Sequence, residues 1–161
     1  MKPTLRPIQQ TDNPALGKLI KTVLAEFKAN KPGTAYFDES TDHLSEVFEN
    51  PKSAYWVIEE NEQIIGGGGI FPTDGLPDET CELVKLYLYP EARGKGLGKA
   101  LMYKCFEKAV ALGYKNIYLE SMPELNQAIS MYEKMGFEHQ CGALGNSGHF
   151  GCDIWMVKKL I

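Results

Sequence analysis

The stretch Val84-Lys-Leu-Tyr-Leu-Tyr-Pro-Glu-Ala-Arg-Gly-Lys-Gly-Leu-Gly98 constrains this chain more than any other. An apolar, strand-forming run passes through a turn carrying Gly94, Gly96 and Gly98 and enters an amphipathic helical pattern. Glycines at that bend let bare backbone amides point into the turn. The helix that follows adds its unpaired N–H groups and the positive end of its dipole. The unit therefore predicts a strand, a tight turn, a helix and an anion at the bend. Glycines in such a turn also permit close packing of helix on strand without any ligand, so the two readings stand side by side at this point.

Spacing separates the common glycine-rich phosphate loops. A Gly-x-Gly-x-x-Gly pattern starting at Gly94 needs its third glycine at position 99, which is Lys99. A P-loop fails because Gly94 to Gly98 is one residue too short and Lys99 is followed by Ala100 instead of Ser or Thr. What remains is Arg-x-x-Gly-x-Gly, read from Arg93 through Gly96 to Gly98, and this resembles the acetyl-CoA motif of the GNAT superfamily of acyl-CoA N-acyltransferases. Two further stretches are similar to the same family in the same order. Asn126-Gln-Ala-Ile-Ser-Met-Tyr-Glu-Lys-Met-Gly-Phe-Glu138 resembles the second family motif, and Glu82 precedes Arg93 by the interval at which several members carry a general base. The resemblance covers Ala54 to the C-terminus, and the first 51 residues only in their pattern of a strand followed by helices.

A chain of 161 residues makes one domain with a core that needs no disulfide or metal staple. Its net charge of -4 excludes a nucleic-acid polyanion as the main partner, and Arg93, Lys95, Lys99 and Lys104 cluster locally in a way that suits the phosphates of a small cofactor. No apolar run reaches the length of a bilayer span, so neither a membrane partner nor a targeting segment is expected, and a soluble cytoplasmic protein is. Cys81, Cys105, Cys141 and Cys152 form no Cys-x-x-Cys pair and are expected to be reduced. Cys141, His149 and Cys152 are the one combination with metal-ligand character, but they lack a fourth ligand and zinc-finger spacing, and no metal is expected.

Along the chain, Thr4 to Ile8 reads as a strand. Asn13 and Pro14 read as cap and first turn of a helix carrying Leu16, Leu19, Ile20, Val23, Leu24 and Phe27 inward. A second short helix is predicted from Thr41 to Glu49. Ala54 to Glu59 and Gln63 to Phe71 form a hairpin, and Gly66 to Gly69 in its second strand mark either a bulge or a surface that shapes a ligand tunnel. Strands are expected at Cys81 to Tyr89, Asn116 to Ser121, from Phe137 onward, and at Asp153 to Lys158. Helices are expected at Gly96 to Leu112, with Val110 in its inward stripe, and at Asn126 to Met135. The order gives an α/β (α+β) domain with a central, mixed but mostly antiparallel sheet flanked by helices. The family fold adds that two central strands splay apart.

The chemistry implied by the resemblance is transfer of an acetyl group from acetyl-CoA to a primary amine. In that reading Arg93, Gly94, Lys95, Gly96, Leu97 and Gly98 hold the pyrophosphate. Leu86, Leu88 and Tyr89 offer strand edge to the pantetheine arm, main-chain N–H groups near Leu88 face the thioester oxygen, and Asn126 grips the arm from the other side. An amine is an ammonium ion at neutral pH and must lose a proton before it attacks. Glu82 is the candidate base, with Glu120 or a water chain as substitutes, and either carboxylate also attracts a cation. Tyr132 resembles the family's general acid. Proton transfer from a phenol of pKa ~10 to a thiolate of ~8.5 runs uphill by about 2 kcal/mol, so a hydrogen bond to the developing thiolate carries much of its expected effect. Tyr36, Tyr87 and His149, with Phe37, are expected around the amine, and family members often pair through sheet edges, which makes a homodimer an expectation too. A protein lysine or N-terminal acetyltransferase and a non-catalytic acyl-CoA sensor are the competing readings.

Overall fold

Asn61 and Glu62 take φ of 51° and 62°, the left-handed pair that a two-residue hairpin turn requires, and they join β2 (Ala54–Glu60) to β3 (Gln63–Phe71). In the computed structural model, which describes residues 2–161, this hairpin sits in a seven-stranded sheet. The other strands are β1 (Thr4–Pro7), β4 (Thr80–Leu88), β5 (Asn116–Ser121), β6 (Glu138–Gln140) and β7 (Ile154–Lys159). Their spatial order is β1-β2-β3-β4-β5-β7-β6. Every pairing is antiparallel except β4 with β5. A parallel pair needs a long crossover, which here is the helix α3 (Leu97–Ala111).

The helix α1 (Asn13–Glu26) and the short α2 (Leu44–Val47) cover one face of the sheet, packing Leu16, Leu19, Ile20, Val23, Leu24 and Leu44 onto Tyr55 and Val57. α3 and α4 (Asn126–Lys134) cover the other face, where Met102, Cys105, Phe106 and Tyr132 meet Cys81, Leu83, Ile117 and Leu119. The period-2 alternation of β2 explains the division, with Tyr55 and Val57 facing α1 while Trp56 and Ile58 pack towards α3. No described helix is long and apolar enough to cross a membrane.

Three local expectations are corrected. Asn13 does not cap α1; its side chain accepts from Ser45 N–H at 2.9 Å and donates to Ser45 Oγ at 2.8 Å, tying α1 to α2. The second helix is shorter than expected because Glu39–Asp42 winds as a separate 3₁₀ turn before it. Val110 is exposed, since only Leu101, Met102, Cys105, Phe106 and Ala109 of α3 reach the core.

Against β2 the glycine strand bulges at Ile65, just before the run, and against β4 the extra residue lies on the facing strand. Gly67 pairs with Tyr87 and Gly69 with Val84, so Lys85 and Leu86 oppose the single Gly68. Lys85 takes φ 53° there, and its carbonyl accepts the Tyr55 hydroxyl at 2.8 Å. The glycines make room for neighbours: a Cβ on Gly68 would lie 2.5 Å from Leu86 Cδ1, and one on Gly67 would meet the Tyr55 ring at 2.8 Å.

Candidate active site

β4 and β5 pair only from Thr80 with Asn116 to Glu82 with Tyr118, although both strands continue. Beyond that point they diverge, as the expected splay requires, and a cavity of about 430 Å³ opens between them. Leu86 and Leu88 of β4, Leu119 of β5, Ala128 and Met131 of α4, and Val23 of α1 give it apolar walls. At its mouth Gly94 and Gly96 take φ of 74° and 77°, and nothing lies within 4 Å of where their side chains would be. Gly98 and Leu97 open α3 beside them, so main-chain N–H groups and the helix dipole face the mouth of the cavity. The packing explanation for these two glycines is thereby removed, and an anion with an apolar tail fits what remains.

Arg93 is placed differently from expectation. Its guanidinium donates to both oxygens of Glu26 at 2.8 and 2.9 Å and to the Leu88 carbonyl at 3.1 and 2.9 Å, and it lies 4.9 Å from the centre of the Phe27 ring. Those bonds take four of its five N–H donors, so it braces the turn against α1 while contributing to the cavity wall. Lys95 is exposed and outside the lining, where Lys99 takes part instead. Asn126 is likewise exposed at the start of α4, and its neighbour Gln127 lines the cavity. Tyr89 leaves the wall because its N–H donates to Ile65 O at 2.9 Å and its ring packs beside the α1 cluster. The same bond leaves Leu88 with its amide edge turned away from β3, towards the cleft.

A second cavity, about 500 Å³, lies end to end with the first. Leu83, Lys85, Tyr87, Glu120, Ser121 and Leu125 line both, while Glu82 lines only the second and Tyr132 only the first. Glu82 is 3% exposed and accepts the Thr73 hydroxyl at 2.6 Å. Burial lifts its pKa to about 7, the Thr73 bond opposes the rise, and nearby Glu120 adds to it. Glu120 accepts from Tyr118 at 2.6 Å and from Ser147. Tyr132 is 7% exposed, its hydroxyl has no hydrogen-bond partner among the described residues, and burial raises its pKa.

His149 Nε2 lies 2.6 Å from Asp38 Oδ2, and its Nδ1 lies 3.8 Å from Glu120 Oε1. Lys85, with only 9% of its side chain exposed, reaches the same Asp38 oxygen at 2.5 Å. Burial pushes the Asp38 carboxyl up, but the His149 bond and the Lys85 ammonium more than offset it and hold it below the usual carboxylate range. Glu82, Glu120 and His149 bring one donor atom each within 4.8 Å of one another, whereas Cys141 and Cys152 stand outside that group. Tyr36 departs from expectation: it packs edge-on against Phe37 and the α1 cluster, and Ala35 and Asp38 line the chamber in its place. Asp38, Thr73, Lys85 and Ser147 were missed. Only Lys85 left a trace in the sequence, as a charge interrupting the apolar run of a central strand.

The loop spanning 141–153 contributes Asn146, Ser147, His149 and Cys152 to the wall of the second cavity. Asn146 N–H donates to Asp74 O at 2.7 Å and Gly151 N–H to Gly33 O at 2.9 Å, besides the Ser147 and His149 contacts.

The profile of the acetyltransferase (GNAT) family matches residues 20–137. The chain is 42% identical over 160 residues to the uncharacterized N-acetyltransferase YjgM of Escherichia coli (strain K12), covering 98% of this chain and 95% of that protein. It is 29% identical over 119 residues to human N-acetyltransferase 8, covering 70% of this chain and 52% of that one. Among solved structures, a GNAT-family acetyltransferase from Staphylococcus aureus Mu50 superposes with a TM-score of 0.88 at 16% identity, over 99% of this chain and 100% of the other. The PaiA N-acetyltransferase of Thermoplasma acidophilum, solved in complex with coenzyme A, superposes at 0.76 with 19% identity over 99% of both chains. With the splayed strands, the glycine cradle and a family profile spanning most of its length, the chain belongs to the GNAT acetyltransferase family and is an N-acetyltransferase.

Proposed function

We propose that the protein moves an acetyl group from acetyl-CoA directly to a primary amine of a small molecule, with both substrates bound at once. The observation that carries this is the meeting of two cavities at Lys85, Tyr87 and Glu120, with Glu82 confined to one and Tyr132 to the other. The cradle of Gly94, Gly96 and Gly98 with Lys99 suits a pyrophosphate, and the Leu86, Leu88 and Met131 walls suit the arm that follows it. Acetyl-CoA supplies the thioester carbonyl that the amine attacks and the thiolate that leaves.

Glu82, held by Thr73 and carrying a pKa of about 7, is the group that accepts the amine's proton. Glu120 stands beside it as a second carboxylate, already engaged by two hydroxyls. The amide of Leu88, turned to the cleft, is placed to donate to the developing oxyanion. Tyr132 faces the donor side, its hydroxyl without a hydrogen-bond partner among the described residues; burial raises its pKa, so it stabilises the departing thiolate by a hydrogen bond more readily than by giving up its proton. The loop at 141–153, tied to Asp74, Gly33 and Asp38 along one wall of the second cavity, favours a small acceptor over a peptide lying in an extended groove.

The test is thiol release from acetyl-CoA across a panel of amines, with CoA binding followed by calorimetry. Turnover that falls on Glu82→Gln and Tyr132→Phe while CoA still binds supports the assignment. Tight CoA binding without turnover on any amine supports the sensor reading, and turnover confined to lysine peptides supports a protein substrate.

A further inference from the structure

Carboxylates outnumber basic side chains around the second cavity. Asp38, Asp74, Glu82 and Glu120 line it against one lysine and one histidine. Lys85 is paired with Asp38, and His149 Nε2 lies 2.6 Å from the same carboxylate oxygen, so both basic side chains are already engaged. What is left uncompensated lies at the two ends. At the inner end, next to the junction of the cavities, Glu82 is nearly fully buried, and its second carboxylate oxygen has no hydrogen-bond partner among the described residues although it lines the chamber. At the outer end Asp74 is exposed and bound only through its backbone carbonyl, which accepts from Asn146, leaving its carboxylate uncommitted. A low-dielectric cleft lined by one sign of charge focuses its field on a ligand of the opposite sign. One ammonium therefore meets Glu82 and reacts, and a second positive group on the same molecule meets Asp74.

Resting on the acetyltransferase reading above, we infer that the acceptor is a small dication, an amine whose second positive charge is held at the chamber entrance by Asp74. A neutral tail leaves Asp74 unpaired, and a carboxylate tail meets four acidic side chains while Lys85 is already paired with Asp38.

The experiment compares cadaverine, pentylamine and δ-aminovalerate, which share the reacting amine and the chain but end in a positive, a neutral and a negative group. The expected order of kcat/KM is cadaverine, then pentylamine, then δ-aminovalerate, with steps of about three- to tenfold, the size of a partly exposed ion pair. Asp74→Asn leaves the main-chain bond to Asn146 in place and is expected to narrow the gap between cadaverine and pentylamine. Equal or better turnover of pentylamine or δ-aminovalerate overturns the inference, as does an Asp74→Asn variant that lowers all three alike. Acetyl-CoA binding without turnover of any of the three overturns it too. Failure to bind acetyl-CoA overturns the acetyltransferase reading itself.

Discussion

Glu82 carries the most consequence per atom. With a pKa near 7 it is half ionised around neutrality, so kcat/KM should rise through about pH 7 as the carboxylate forms. A pH–rate profile of Glu82→Gln is expected to lose that limb and to fall by roughly 10²–10⁴-fold. The same shift acts on folding with the opposite benefit. The folded chain binds this proton more tightly than the unfolded one, so its contribution to stability is present below the unfolded carboxylate pKa and is lost as pH rises to about 7. Urea unfolding at about pH 5 and about pH 8 should show Glu82→Gln relieving up to about 3 kcal/mol of that loss. Tyr132→Phe keeps the ring packed on Phe137 and removes only the hydroxyl, so kcat should drop about 10- to 100-fold with acetyl-CoA affinity nearly unchanged. The sequence singled out Glu82 by its interval from Arg93 and Tyr132 by its resemblance to the second family motif, and the fold puts them on two adjoining cavities.

Between strand and helix, the glycine turn depends on a residue it does not contain. Arg93 links the turn to Glu26 of α1 and to the end of β4, so Arg93→Ala should cost about 1–2 kcal/mol and raise the KM for acetyl-CoA more than it lowers kcat, as denaturation and steady-state kinetics would show. Reading the motif alone assigned its guanidinium to phosphate, because the partner lies 67 residues away in sequence. The β4 bulge is a similar case. Gly68→Ala would press against Leu86 Cδ1 and force Lys85 and Leu86 to shift, costing about 1–3 kcal/mol by thermal unfolding and loosening the wall of the first cavity. The glycine run was conspicuous in the sequence, yet which strand bulges depends on the register across the sheet.

Taken whole, the molecule separates its charges: Lys95 and Lys99 stand near the first cavity's mouth, while the second cavity is acidic. Added salt should therefore raise the KM for both acetyl-CoA and a cationic amine, with little change in melting temperature, since the core is apolar. The net charge of -4 shows none of this polarity. By itself the sequence determined the features that depend on neighbours along the chain: helix stripes from α1 and α3, period-2 strands, the hairpin, the glycine turn and the residues of two family motifs. Tertiary structure alone decided how Asp38 and His149, 111 residues apart, come to share a hydrogen bond beside Glu82 and Glu120. Loop contacts at the edge of the sheet are set by packing and register, and no local periodicity encodes them.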